Sequence, residues 1–134
     1  MQATSIMYSH FKKRYITRLL HLLSDEYLNM KFLAANAIGK LTLNSVEVQD
    51  YIYNEKQFMQ KLVSLLPSAD IGHTNQNKKA VSGWSTVAWT LAKLTNNNQG
   101  NRKAIRQCGG IHRLVRLLVI NAQPLCDEYS VVAV

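Results

Sequence analysis

Residues 101–118 read NRKAIRQCGGIHRLVRLL, and this stretch decides what kind of chain is at hand. Ala104 and Ile105 supply the apolar side of a short first helix. Gly109 and Gly110 then permit a sharp turn that side chains would block. After the turn, Ile111, Leu114, Val115, Leu117 and Leu118 follow helical spacing and mark a second helix with one oily side. The same template occurs twice upstream. It is found as Met59, Leu62, Val63, Leu65 and Leu66, 52 residues earlier, and as Ile16, Leu19, Leu20, Leu22 and Leu23, a further 43 residues back. Self-similarity on this scale is the mark of stacked supersecondary units.

A second template returns in step with the first. Asn36, Ala37, Ile38, Lys40, Leu41 and Thr42 are matched 53 residues later by Trp89, Thr90, Leu91, Lys93, Leu94 and Thr95. The longer of the two periods has a visible source in residues 68–79, SADIGHTNQNKK, a polar stretch that reads as a loop inserted between helices. Glycine and proline number only six and two, and alternating β-branched runs are rare, so the chain is predicted to be all-α. Each unit would hold a short first helix, a second helix with the Leu-rich stripe, and a longer third helix ending at Leu-Thr. In the third helix of the middle unit, Val81, Trp84, Ala88, Leu91 and Thr95 form the inward stripe, which puts Trp84 in the core. Such units cannot cover their apolar faces alone, and periods near 40–47 residues belong to two- and three-helix solenoids.

The stretch 101–118 resembles the first helix, glycine corner and second helix of an armadillo repeat. The preceding AWTLAKLTNNN, residues 88–98, resembles the armadillo third helix and the start of the next repeat. Residues 46–55 depart from the pattern, since no glycine corner precedes Phe58. The resemblance covers roughly 15–134. It implies an all-α, right-handed superhelical α-solenoid of about three units: an N-terminal segment at 1–14, a partial repeat at 15–45, a repeat at 46–98 with the insertion loop 68–79, and a truncated repeat at 99–134. Residues 126–134, CDEYSVVAV, read as the opening of a third helix, with Asp127 and Glu128 favourable near its N-terminus. The chain is therefore expected to be a fragment, a truncated isoform or one piece of a longer solenoid.

Armadillo stacks hold extended peptides on a concave face lined by third helices, and the 53-residue offset nominates the residues there. Asn29, Asn36 and Lys40 correspond to Ser82, Trp89 and Lys93, with Ser85 beside them. In importin-alpha-like repeats a Trp is followed four residues later by an Asn that clamps a basic peptide. Trp89 matches, but Lys93 stands in place of the Asn, and two groove lysines would repel a basic ligand. Lysines on this face are similar instead to the beta-catenin mode, which implies an acidic or phosphorylated peptide partner. Lys40 and Lys93 read equally well as solvated surface lysines. Trp89 reads as an inter-repeat core residue or as a platform on which a peptide stacks.

Sixteen Lys and Arg against eight Asp and Glu give a net charge of +8, which attracts acidic peptides, nucleic acid or an anionic membrane alike. The cations cluster at 12–14, at Lys78 and Lys79, and at Arg102, Lys103, Arg106, Arg113 and Arg116. RNA or DNA is the competing partner, disfavoured because no nucleic-acid motif is present and no aromatics are interleaved with these cations. No apolar run approaches the roughly 18 residues of a membrane span, and no secretory signal is visible. His10, His21, His73 and His112 lie on separate segments without ligand spacing, and Cys108 and Cys126 have no activating neighbour. The sequence GHTNQNKK in the insertion lacks the glycine spacing and Lys-Ser ending of a phosphate loop. These features point away from an enzyme, a metal, a cofactor or a small-molecule substrate, and toward a cytoplasmic or nuclear scaffold or adaptor.

Overall fold

In the computed structural model of the chain, residues 2–43, 45–68 and 78–129 are described. Among them are seven helices and no strand: α1 (Gln2–Leu22), α2 (Leu28–Thr42), α3 (Val46–Asn54), α4 (Lys56–Ser64), α5 (Lys78–Thr95), α6 (Gln99–Gln107) and α7 (Gly110–Tyr129). The all-α expectation is met. Of the polar insertion 68–79, residues 69–77 lie outside the described residues, while Lys78 and Lys79 open α5.

The local signals that start and stop these helices recur along the chain. Ser45 caps α3 by accepting from the Val48 amide at 3.3 Å, and Asn98, 53 residues on, caps α6 by accepting from the Asn101 amide at 2.9 Å. Each cap satisfies one of the amides a helix start leaves without a partner. At the other end, the Thr42 hydroxyl donates to the Ile38 carbonyl at 2.7 Å and the Thr95 hydroxyl to the Leu91 carbonyl at 2.9 Å, again 53 residues apart. The turn between α6 and α7 is made by Gly109 at φ +74, a left-handed conformation that glycine adopts without a Cβ penalty. Between α3 and α4 the same job falls to Glu55 alone, at φ −94 and ψ 86, so no glycine is needed there.

The core is a continuous set of side chains drawn from every helix. Its fully buried centre includes Ile16, Ile38, Val48, Ile52, Phe58, Leu62, Val87, Leu91 and Leu94. Removing one such Leu, Ile or Phe from water contributes roughly 1.5–3 kcal/mol. Trp84 is buried as expected. The most extensive helix pair is α2 on α5. Phe32 of α2 lies against Gly83 of α5, and Trp89 of α5 lies against Gly39 of α2. Phe32 meets Gly83 near the helix starts and Gly39 meets Trp89 toward their ends, so α2 and α5 run parallel. Between these contacts, the buried Thr90 hydroxyl donates to the Ala35 carbonyl at 2.7 Å. Further along the chain, α3 packs on α6, and α4 packs on both α5 and α6.

Buried polar side chains close the helix ends. Gln49 Nε2 of α3 donates to the carbonyls of Lys93 at 2.9 Å and Asn96 at 2.8 Å. Asn101 Nδ2 of α6 donates to the Leu94 carbonyl at 2.8 Å and the Gln49 carbonyl at 3.1 Å, and Arg102 Nε to the Thr95 carbonyl at 3.0 Å. The last carbonyls of α5 are thus taken by α3 and α6, which ties three helices together. Arg113 Nη1 of α7 does the same for α4, donating to the carbonyls of Leu66 at 2.9 Å and Ser64 at 3.3 Å.

Two sequence-drawn boundaries are corrected. The division at 14/15 falls inside α1, which is unbroken from Gln2 to Leu22. Cys126, Asp127, Glu128 and Tyr129 do not open a new helix but continue α7, which runs through Pro124. Residues 130–134 of that segment lie outside the described residues. Ser45 and Asn98 are the N-caps of α3 and α6.

Candidate functional site

Because α2 and α5 lie parallel and side by side, residues that share a face on each helix form a continuous two-helix surface. On α2, Asn29 and Lys40 are exposed and Asn36 is half-buried. On α5, Ser82 is exposed, and Trp89 and Lys93 are half-buried. These residues stand on the outer side of the α2–α5 contact, opposite the core made by Ile38, Trp84, Val87 and Leu91. The fold therefore gathers Asn29, Asn36, Lys40, Ser82, Trp89 and Lys93 onto one surface.

Ser85 stands one i, i+4 step from Trp89, on the side of it turned away from α2. It follows Gly83 by two residues and is turned about 200° round the helix from the flank that meets Phe32, at roughly 100° per residue. Its counterpart 53 residues earlier is Phe32, the residue α2 turns toward α5. Ser85 is accordingly exposed on the flank of α5 away from α2, and its hydroxyl donates to the Val81 carbonyl at 3.0 Å.

Trp89 is neither a fully enclosed core residue nor a free platform. The six-membered part of its ring presses on Gly39, where any side chain would collide with it. The Lys93 ammonium stands 5.7 Å from the ring centroid, within reach of a cation–π attraction. Trp89 and Lys93 thus form one unit, an aromatic plate with a positive charge beside it. Lys40 follows Gly39 directly, so a second lysine comes from the helix against which the plate is seated.

The sequence reading missed Leu33. It is exposed on α2, and 29, 33, 36 and 40 step by four, three and four, the spacing of one helical stripe. Its counterpart on α5 is the partly buried Thr86, whose hydroxyl donates to the Ser82 carbonyl at 3.1 Å. The surface therefore pairs an apolar spot with amides and ammonium groups. Neither α2 nor α5 contains an Asp or Glu, while their sequences hold Lys31, Lys40, Lys78, Lys79 and Lys93. The absence of acids extends over residues 71–126, which contain eight Lys and Arg.

The basic clusters are in part structural. Arg102 and Arg113 are engaged with the carbonyl ends of α5 and α4, and Arg116 also has a partner, whereas Lys13, Arg14, Lys103 and Arg106 are exposed. His21 and His112 are exposed on different helices, and Cys108 is half-buried at the end of α6. His73 lies outside the described residues. Among the described residues no group of three His, Cys, Asp or Glu is placed to hold a metal ion, and no helix is long and apolar enough to cross a membrane. No protein-family model, curated protein or solved structure matches the chain.

Proposed function

We propose that this chain is a right-handed solenoid of about three armadillo-like units, and that it serves as a protein-interaction module holding an extended acidic peptide across α2 and α5. The recurrence of helix ends supports the repeated-unit reading: α3 and α6 span nine residues each, 53 apart, and α2 and α5 both end at Leu-Thr. In this reading α1, α4 and α7 are second helices, α2 and α5 third helices, and α3 and α6 first helices. The partial first unit, the middle unit with its insertion and the incomplete last unit follow from that assignment.

The observation that carries the ligand class is a parallel pair of helices with Lys40, Lys93 and Trp89 on one surface and not one carboxylate in either helix. A ligand with carboxylates or phosphates gains attraction along the whole surface, and a basic ligand is repelled. Scaffold or adaptor work in the cytoplasm or nucleus, with no chemistry of the chain's own, fits this surface. Titration with an acidic peptide, read by Trp fluorescence, tests it. Lys40→Glu with Lys93→Glu is expected to weaken binding mainly by slowing association, and unchanged affinity would remove both lysines from the site.

The second reading is a basic helical surface that binds RNA or DNA, favoured by the acid-free stretch 71–126. Against it stands the use of Arg102 and Arg113 as caps on α5 and α4. Oligonucleotide affinity that falls steeply with salt, and exceeds that for the acidic peptide at physiological salt, would favour it.

A further inference from the structure

The apolar template shared by α4 and α7 meets opposite fates. In α4 and the turn that ends it, Met59, Val63 and Leu66 are 3%, 2% and 2% exposed, while their counterparts in α7, Ile111, Val115 and Leu118, are 51%, 53% and 69% exposed. The α4 trio is covered by the unit that follows it. Val63 lies close to Gly110, Arg113 is bonded to the Leu66 carbonyl, and α6 packs along α4. Ile111, Val115 and Leu118 step by four and three, so they form one uncovered stripe rather than scattered surface residues.

Charge decides what suits the stripe. It lies within residues 71–126, which lack any Asp or Glu, and the adjoining α6 exposes Arg102, Lys103 and Arg106. His112 stands exposed on α7 itself. A second copy docking α7 on α7 would set two basic α6 helices beside one shared stripe, with Asp127 and Glu128 the acids of α7, nine and ten residues beyond Leu118. An acidic partner meets complementary charge on the α6 side of the stripe.

We infer that α7 is a second docking surface, separate from the α2–α5 face, which receives an amphipathic helix of an acidic protein. The helix takes on α7 the place that α6 takes on α4, with leucine-like side chains on Val115 and Leu118 and carboxylates toward α6. The inference does not depend on the peptide reading of α2 and α5.

The test uses the whole chain and three labelled synthetic helices, with binding read by fluorescence anisotropy. One helix has Leu on one face and Glu elsewhere, one scrambles those residues to break the apolar face, and one replaces Glu by Lys. The first is expected to bind roughly tenfold or more tightly than the others, as loss of a central apolar anchor or of charge complementarity costs. Val115→Ser with Leu118→Ser, both at exposed positions, is expected to abolish the preference for the first helix over the scrambled one, with the helical circular dichroism unchanged. Lys40→Glu with Lys93→Glu is expected to weaken both Glu-containing helices alike through the α2–α5 face and to leave the preference for the first over the scrambled one intact. Equal binding of the scrambled helix, or native binding by the serine variant, overturns the inference. So does a concentration-dependent dimer in sedimentation that the serine variant dissociates, since the occupant is then a second copy. An oligonucleotide that displaces the acidic helix from α7 and loses affinity in the serine variant also overturns it.

Discussion

Trp89 is seated on Gly39, with the ring of one helix filling the space where the other helix has no side chain. The relationship is reciprocated at the other end of the pair, where Phe32 of α2 fills the space over Gly83 of α5. Two aromatic-on-glycine contacts of opposite direction fix both the distance and the register of α2 and α5. The candidate peptide face inherits its shape from them, because Lys40 and Lys93 stand next to Gly39 and Trp89 respectively.

Gly39→Ala sets two effects against each other. Alanine gains about 1 kcal/mol of helix propensity over glycine. Overpacking a closed contact costs about 1–3 kcal/mol. With a wide, partly anchored indole as the obstacle, the clash is expected to win and the denaturation midpoint to fall. Combined with Trp89→Leu, the same substitution is expected to cost less, since the clash with the ring is relieved while that with the Thr90 hydroxyl stays, so the double-mutant cycle gives a coupling of at least about 0.5 kcal/mol. Additive behaviour would show that ring and glycine do not meet.

Thr90→Val keeps the shape and removes the hydroxyl that bonds the Ala35 carbonyl. The expected loss is about 1 kcal/mol, the net worth of one buried hydrogen bond, with Thr90→Ser retaining the bond and losing the methyl contact. Urea unfolding of the two variants separates these contributions. A Val variant as stable as the native chain would mean that the interhelix bond contributes nothing.

Asn101 holds the end of α5 and the middle of α3 at once, through its bonds to the Leu94 and Gln49 carbonyls. Asn101→Ala leaves both carbonyls short of a donor in a buried place and is expected to cost about 1–3 kcal/mol. Asn101→Asp should cost more, since it removes both donors and places a charge where Asn101 is fully buried. Gln49→Ala works on the same carbonyl cluster, so the pair is expected to be non-additive in chemical denaturation.

Much of this architecture is written in short-range sequence signals. The glycine corner at 109, the caps Ser45 and Asn98, the Leu-Thr helix ends and the burial of Trp84 follow from residues within a turn or two of the feature they specify. The meeting of Trp89 with Gly39 is not legible in that way, because it depends on the register of helices some 50 residues apart in sequence. The same holds for Gln49 and Arg113, polar side chains whose carbonyl partners sit on other helices. Leu33 and Ser85 failed for a different reason. Periodicity assigns a face, but which flank meets the neighbouring helix is settled by packing, which left Leu33 exposed on the candidate stripe and Ser85 on the flank of α5 away from α2.

Gly109 and Asn97 both occupy the left-handed region, at φ +74 and +53. Gly109→Ala is expected to cost roughly 1–2 kcal/mol through its Cβ, and Gly109→Asn less, since Asn tolerates this conformation as Asn97 already does. Space around Gly109 is open, so backbone conformation alone separates the two variants. Equal thermal stability of Ala and native chains would contradict the turn geometry.

Leu33 and Lys40 are expected to serve an acidic peptide in ways that salt can tell apart. Leu33 is 61% exposed in the free chain, so most of its side chain remains to be covered on binding. Covering it contributes on the order of 1 kcal/mol, or about a fivefold change in affinity, when scaled from the roughly 1.5–3 kcal/mol of a fully buried leucine. Leu33→Ser should therefore weaken binding by about that factor at every ionic strength, because apolar contact is not screened. Lys40→Gln removes a solvent-facing charge whose effect is expected at low salt and to fade as the Debye length shrinks to about 3 Å near 1 M. Titrations of both variants at low and high salt check this. If the Leu33 effect fades with salt while the Lys40 effect persists, the apolar spot and the lysine do not divide the ligand as the surface of α2 implies.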